Sequence, residues 1–241
     1  EATSFVSPKK IPQLADADTV MINLQALKLH LSALVPNQKG FERAIAGNCR
    51  AISIFTSPSN AFCQKNIACN AADSLVRYAS IIQQAKQKKL FVRGYISCAW
   101  GCPFEGLMTP DTVVEMAVKL SELGCDEVSL GDTTGQATPS STQTLLMQIF
   151  KKLSSEQVAL HFHDQYGRGL LNAYTAMQCG AWRFDSAVAG LGGCPTVPDA
   201  AGNLSTEDLV GLADEMGIAT GIDLAKLAQA GQEICDILGA N

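Results

Sequence analysis

Two histidines separated by one residue, His161 and His163, form the pair of side chains in this sequence best suited to chemistry. They end an apolar run, and in an extended strand alternate side chains share a face, so both imidazoles would lie opposite Phe162. Two imidazoles at this spacing can hold one divalent cation, with Asp164 at the end of the strand. The chain contains three histidines. The pair therefore predicts a metal site, and two structural histidines with ordinary hydrogen bonds are the alternative.

A glycine-rich segment, Gly-Leu-Gly-Gly-Cys-Pro at 190–195, follows this strand. Glycines allow a backbone to fold closely over a ligand because they carry no side chain. The segment therefore predicts a loop that brings Cys194 over a site. A small apolar thiol that fills a turn is the alternative interpretation.

Short apolar runs alternate with longer helical patterns along the chain, which predicts βαβ units and a parallel sheet. Thr109 and Thr138, each followed by proline, indicate helix N-termini, while Gly124, Gly180 and Gly217 stand where helices should stop. The predicted strands are 1–6, 29–35, 51–55, 90–98, 127–130, 157–163 and 183–188. The predicted helices are 11–27, 40–46, 71–89, 110–123, 139–153, 168–178, 206–216 and 224–238.

Polar residues within or just after different strands indicate which parallel fold this is. They are Glu1, Arg93, Asp132, His161, His163 and Asn203. A (β/α)₈ barrel gathers such residues at the C-terminal ends of its strands, whereas a dinucleotide-binding fold would need a Gly-x-Gly-x-x-Gly after its first strand. The sequence therefore predicts an α/β protein of the TIM-barrel class, one catalytic domain over 1–241, with seven of the eight strands.

Composition limits the partners. Of 241 residues, 47% are hydrophobic, and the net charge of -5 provides no basic face for nucleic acid. No apolar run is long enough to cross a membrane. The nine cysteines are an odd number without paired Cys-x-x-Cys motifs, which is typical of a reducing compartment. We expect a bacterial cytoplasm, or a mitochondrial matrix if the source is eukaryotic.

Seven segments together resemble the hydroxymethylglutaryl-CoA lyase family of metal-dependent, aldolase-like TIM barrels. They fall in family order and cover nearly the whole chain, and the glycine-rich cysteine loop is the most specific. The segments are 1–9 (EATSFVSPK), 36–41 (PNQKGF), 92–98 (VRGYISC), 129–133 (SLGDT), 161–164 (HFHD), 185–195 (DSAVAGLGGCP) and 202–208 (GNLSTED).

The resemblance implies cleavage of 3-hydroxy-3-methylglutaryl-CoA into acetyl-CoA and acetoacetate, a retro-aldol or retro-Claisen step assisted by Mg²⁺ or Mn²⁺. It implies that His161, His163 and Asn203 are metal ligands. It also implies catalytic roles for Cys194, Asp132, His161 and Glu1, and we expect Arg93, Asn37 and Lys39 to contact the acyl-CoA substrate. For Asp132 a turn or cap, for Arg93 a buried carboxylate partner, and for 36–40 a solvated loop are the alternatives.

The sequence also departs from the family, whose first strand carries an Arg-Asp pair with a metal-ligand aspartate and an enolate-stabilising arginine. Because the chain starts at the second strand, we expect a further upstream βα unit and an impaired rate in this chain alone. A Claisen-type synthase or aldolase of the same superfamily, a catalytically silent barrel fragment and a zinc hydrolase are alternative functions. A homodimer is also expected from the family.

Overall fold

The computed structural model of the chain describes residues 1–27, 29–193 and 202–239. These residues form two compact units: unit 1 contains 1–97 and 112–129, and unit 2 contains 98–111 and 130–241. The strands are β1 (Thr3–Ser4), β2 (Ser32–Leu34), β3 (Ala51–Thr56), β4 (Phe91–Ile96), β5 (Gly101–Cys102), β6 (Gly106–Leu107), β7 (Glu127–Gly131), β8 (Val158–His161) and β9 (Phe184–Asp185). The helices are α1 (Ala17–Leu24), α2 (Gln38–Ala46), α3 (Asn60–Ile67), α4 (Ala71–Gln87), α5 (Pro110–Leu123), α6 (Pro139–Ile149), α7 (Arg168–Gln178), α8 (Thr206–Glu215) and α9 (Leu224–Leu238).

Unit 1 is built on strands in the order β1-β2-β3-β4-β7, of which β7 contributes its first three residues. The first four strands are parallel, and Ser53 of β3 stands opposite Arg93 of β4. Alternation places Ile52 and Ile54 on the other face, where they are fully buried. Helix α4 packs on β3 and β4 and closes this apolar layer. Unit 1 therefore has a helix-covered face and a polar-lined face.

Unit 2 contains the end of β7, followed in the sheet by β8 and β9. Strands β8 and β9 are parallel, with Leu160 opposite Phe184 and His161 opposite Asp185. A small antiparallel hairpin, β5–β6, lies in the same unit. Helices α6 to α9 contact one another in sequence order. Unit 2 thus carries the histidine strand and the segments that follow it.

Within the described residues, seven strands alternate with helices in the main sheet, which confirms the predicted TIM-barrel class with seven strands. Helices α5, α7 and α9 have the predicted bounds. The Thr138 side chain accepts the Ser141 amide in a capping box, as a threonine before proline predicted. Positive φ angles at Gly124, Gly180 and Gly217 confirm the predicted helix ends. Whether the two units act as the single predicted domain stays a prediction.

One predicted helix differs from the structure, and two short elements were not predicted. The spacing of apolar residues predicted a single helix over 11–27. Instead, the Ala15 amide donates to the Pro12 carbonyl in a tighter turn, and α1 starts only at Ala17. Helix α3 was missed because it has only eight residues and is followed by Ala68 in a left-handed conformation, without a glycine stop signal. The β5–β6 hairpin was missed because its two-residue strands are too short to show alternation.

Cysteines in the described part of the chain are free thiols, and six of the eight are buried. Burial raises the pKa of Cys49 to about 11 and that of Cys125 to about 12. Thiols with raised pKa values stay protonated and unreactive, so these two act as small apolar core residues. Among the same residues, no helix combines the length and apolar character that crossing a bilayer requires.

Candidate metal centre

The two histidines lie together, as the alternating pattern predicted. Their ring centroids are 5.3 Å apart, with an angle of 59° between the ring planes. Phe162 lies between them in sequence but packs its ring against Trp100, at a centroid distance of 5.4 Å. His163 is buried, whereas 30% of the His161 side chain is exposed. His161 ends β8 and His163 lies two residues beyond it, and the close rings leave one of the two imidazoles open to an incoming ligand.

Asn203 is brought to this pair by backbone pairing. It forms an antiparallel bridge with His163, and bridged residues in antiparallel chains direct their side chains to the same face. Its Nδ2 donates to the carbonyl of Leu191 at 2.9 Å. Its Oδ1 is buried and has no hydrogen-bond partner among the described residues. A buried amide oxygen without a donor is unusual, and a cation would satisfy it.

Residues 190–193 of the glycine-rich segment pack directly on Asn203, and two glycines make this approach possible. A Cβ on Gly192, whose φ is +96°, would lie 2.8 Å from Asn203 Nδ2. A Cβ on Gly202 would lie 2.4 Å from the carbonyl oxygen of Gly190. No larger residue fits at either position without moving backbone or ligand side chain. The predicted catalytic Cys194 belongs to the part of this segment that lies outside the described residues, so its role stays a prediction.

Glu207, in the first turn of α8, fixes the start of the glycine-rich segment. Its carboxylate accepts the backbone amide of Ala189 at 2.9 Å and the hydroxyl of Ser205 at 3.0 Å. Ala189 has a left-handed φ of 53°, a strained conformation for a residue with a Cβ. Gly231 of α9 packs against the same carboxylate, so closely that a Cβ there would lie 2.7 Å from Glu207 Oε1. Helix α9 therefore supports Glu207 and, through it, the loop.

Asp132 directly follows β7 in the same unit, and its buried carboxylate organises the loop after the strand. The loop amides of Gln136 and Ala137 donate to it at 2.9 to 3.1 Å. Asn172 of α7 holds the Ala137 carbonyl at 3.0 Å, and Arg168 holds the Gly135 carbonyl at the same distance. Asp132 therefore has the turn-stabilising role that was the alternative to its predicted catalytic role.

Burial raises the pKa of Asp132 from 3.8 to about 6, although the Ala137 and Gln136 amides and the nearby Arg168 and His161 act to lower it. Desolvation of the charged form outweighs the hydrogen bonds that favour it. A carboxyl group with a pKa near neutrality can both hold and release a proton under cellular conditions. The same side chain can therefore fix a loop and take part in proton transfer.

Asp185 is a polar residue at the pair that motif-based interpretation missed. Its Oδ2 lies 3.5 Å from His161 Nδ1, and 17% of its side chain is exposed. It stands beside His161 because the parallel register of β8 and β9 pairs these two residues. The signal that could have revealed it is the strand register, which no local sequence motif specifies.

The other predicted site residues belong to unit 1. Arg93 forms an ion pair with buried Glu127 at 2.5 Å, so it has the structural partner that its alternative interpretation required. Asn37 caps α2, accepting the amide of Gly40 at 3.0 Å. Lys39 is exposed in the first turn of α2, and Glu1 is exposed at the start of the chain. Substrate contacts by Arg93, Asn37 and Lys39, and a catalytic role for Glu1, stay predictions.

The residues present fit a divalent cation. In the described ranges no group of three His, Cys, Asp or Glu side chains converges into a metal cluster, so carboxylates and thiols there do not complete a ligand set. Two imidazoles on one face and the buried Oδ1 of Asn203 supply three neutral donors instead. Three donors leave coordination positions for oxygens from a substrate, as in a catalytic metal site.

Comparison with known proteins gives consistent matches. The HMGL-like family model matches residues 12–234. The mitochondrial hydroxymethylglutaryl-CoA lyase of Mus musculus is 45% identical over 99% of this chain and 74% of its own length. The cytoplasmic 3-hydroxy-3-methylglutaryl-CoA lyase of the same species is 43% identical over 98% of this chain and 69% of its own. A solved HMG-CoA lyase from Acinetobacter baumannii, in complex with coenzyme A and 3-methylmalate, is 38% identical with a TM-score of 0.95, covering 100% of this chain and 79% of that one.

Proposed function

The chain belongs to the HMGL-like family, and we propose that it cleaves 3-hydroxy-3-methylglutaryl-CoA into acetyl-CoA and acetoacetate. The observation that carries the proposal is the arrangement of His161, His163 and the unsatisfied Asn203 Oδ1 on one face. The family is metal-dependent, and these are the donors that this chain offers to a metal. A coenzyme A thioester is the expected partner, since the Acinetobacter relative was solved with coenzyme A.

The reaction needs a base that removes the proton of the tertiary hydroxyl, after which the carbon–carbon bond breaks and the acetyl-CoA enolate takes up a proton. A bound divalent cation would polarise the hydroxyl oxygen and favour its deprotonation. In our proposal His161, His163 and Asn203 hold that cation. Asp132, with its pKa near 6, serves the proton transfers, and Cys194 belongs to the same acid–base machinery.

We propose Mg²⁺ or Mn²⁺ as the cation, because an amide oxygen and substrate oxygens are hard donors. A homodimer is proposed from the family resemblance alone. For the compartment we propose the bacterial cytoplasm or the mitochondrial matrix; the two mouse relatives are named as mitochondrial and cytoplasmic enzymes.

Metal binding and product formation together test this function. Mn²⁺ is titrated into the purified chain by calorimetry, and acetoacetate release from the thioester is then measured with and without chelator. We expect one Mn²⁺ per chain and acetoacetate release that requires it. His163→Ala should abolish both, whereas His30→Ala should change neither, because His30 is exposed and is not one of the proposed ligands.

Two results would contradict the proposal: His163→Ala that binds Mn²⁺ like the unaltered chain, or acetoacetate release that chelator does not affect. A synthase or aldolase of the same superfamily is distinguished by substrate. Such an enzyme would condense acetyl-CoA with a 2-keto acid or cleave a 2-keto-acid aldol, and would leave the hydroxymethylglutaryl thioester intact.

A further inference from the structure

We propose that Asp185 is a positioning residue of the metal centre: its carboxylate accepts the Nδ1–H of His161 and so leaves Nε2 as the nitrogen that binds the cation. The inference rests on the proposed function, because it concerns the same cation. It assigns no contact with substrate to Asp185. The role assigned to Asp185 is to determine which of the two ring nitrogens of His161 binds the cation.

Strand pairing fixes the contact. In the parallel ladder of β8 and β9, His161 stands opposite Asp185, and Leu160 stands opposite Phe184. Directly opposed residues direct their side chains to the same face, and neighbouring strands lie about 4.8 Å apart. The Asp185 carboxylate therefore reaches the near edge of the imidazole, with Oδ2 3.5 Å from Nδ1. No loop conformation is needed to keep the two groups together.

The chemistry of imidazole turns this contact into a choice of ligand atom. A neutral imidazole carries one N–H and one lone pair, and a cation binds only the lone pair. A carboxylate beside Nδ1 stabilises the tautomer with the proton on Nδ1. The lone pair is then on Nε2, at the tip of the ring and away from the strand. A carboxylate partner also makes the imidazole a more basic ligand.

The two histidines need different support. His163 is 5% exposed, and its backbone is bridged to Asn203, so packing restricts its ring. The His161 side chain is 30% exposed and lies at the last residue of its strand, where packing restricts it less. A side chain that keeps this freedom gains most from a charged partner. Asp185, with 17% exposure, is sheltered enough to act as one.

Nitrogen-15 NMR of the histidine side chains tests the tautomer directly. The chain has three histidines, so selective ¹⁵N-histidine labelling gives three ring systems, and His161→Gln identifies one of them. In the metal-free chain, about two pH units above the ordinary imidazole pKa, we expect His161 to carry its proton on Nδ1. In Asp185→Ala we expect the proton to shift toward Nε2. A His161 ring protonated on Nε2 in the unaltered chain overturns the inference without any variant.

Mn²⁺ titration provides the second readout. Loss of such a partner typically weakens metal binding 10–100-fold, and we expect Asp185→Ala to raise the Mn²⁺ Kd by about this factor. Asp185→Asn keeps the shape and should lie in between. Ser186→Ala is the matched control, because Ser186 adjoins Asp185 and bonds to Thr206 at 2.9 Å instead. Its Mn²⁺ Kd should be unchanged.

The outcomes separate the inference from the function beneath it. If His163→Ala still binds Mn²⁺, the metal centre itself is wrong. If His163→Ala loses Mn²⁺ but both Asp185 variants keep the original Kd and tautomer, only the role of Asp185 is wrong. If Ser186→Ala weakens Mn²⁺ binding as much as Asp185→Ala does, Asp185 acts only by stabilising β9, and the inference is also overturned.

Discussion

Replacing Arg93 by methionine should destabilise unit 1 strongly, because it leaves a carboxylate buried without its cation. Arg93 Nη2 lies 2.5 Å from Glu127 Oε1, and the Glu127 side chain is 2% exposed. Removing one partner of a buried ion pair typically costs about 3–5 kcal/mol, most of it the cost of the orphaned charge. Against a total stability of about 5–15 kcal/mol, this is a large fraction.

The reverse change should cost less. Glu127→Gln leaves Arg93, whose side chain is 24% exposed, able to turn toward water and toward the Tyr95 hydroxyl 3.3 Å away. We therefore expect about 1–2 kcal/mol for Glu127→Gln. The double variant should be more stable than the sum of the two losses predicts, with a coupling of about 2 kcal/mol or more. A substrate-binding Arg93 without a structural role would show no such coupling.

Urea unfolding followed by far-UV circular dichroism measures these differences. The pair Glu115–Lys119, 2.6 Å apart but with side chains 65% and 50% exposed, provides the control. Glu115→Gln should leave the urea midpoint almost unchanged, because a solvated helix-surface pair contributes little to stability. The reasoning is refuted if Arg93→Met unfolds at the same urea concentration as Glu115→Gln, or if the double variant shows simple additivity.

Three further predictions follow from the site and from α2. Asp132→Asn should flatten the pH dependence of urea unfolding in the chelated chain. Because the pKa of Asp132 is raised to about 6 in the folded chain, the protonated group stabilises the folded state by about 3 kcal/mol. This stabilisation is complete below about pH 3.8 and is lost as the pH rises through 6. If the free energy of unfolding of Asp132→Asn depends on pH as steeply as that of the unaltered chain, the prediction is contradicted. Gly192→Ala should lower the stability by about 1 kcal/mol or more and should weaken Mn²⁺ binding in calorimetry. Gly180, with φ of +90° and no atom near an added Cβ, is the control, and Gly180→Ala should lower only the stability. If the two variants bind Mn²⁺ equally well, the packing argument is contradicted. Asn37→Ala should lower the stability by about 1 kcal/mol in thermal unfolding, whereas Asn37→Ser should lower it almost not at all. Asparagine and serine side chains can each accept the Gly40 amide and cap α2. Equal losses in the two variants would contradict the capping role.

Features that depend on short-range spacing could be predicted from the sequence. Alternation placed His161 and His163 on one face because a strand has a period of two residues, whatever the rest of the fold does. The bounds of α5 and α7 were predictable because a proline at the start of one and glycines after both act locally. Asn203 was identified through the family resemblance, and its bridge to His163 gives that expectation a physical basis.

Features that depend on which strands meet could not be predicted in this way. Asp185 is ordinary in sequence, and it becomes a partner of His161 only through the register of two parallel strands. Asp132 has its raised pKa because the fold removes it from water, which no local pattern encodes. Arg93 had two equal interpretations until the position of Glu127 was known, since the two residues are separated by α5 in sequence.

The contact between Gly231 and Glu207 bears on how inherited or engineered changes in this protein are interpreted. Gly231 is the one buried residue of α9 and lies far along the chain from every histidine. A survey that ranks substitutions by distance in sequence from the metal ligands would score Gly231→Ala as harmless. Its added methyl group would instead push on Glu207, which holds the Ala189 amide just before the glycines that pack on Asn203. Defects at this glycine should therefore be diagnosed as faults in catalysis first and in folding second.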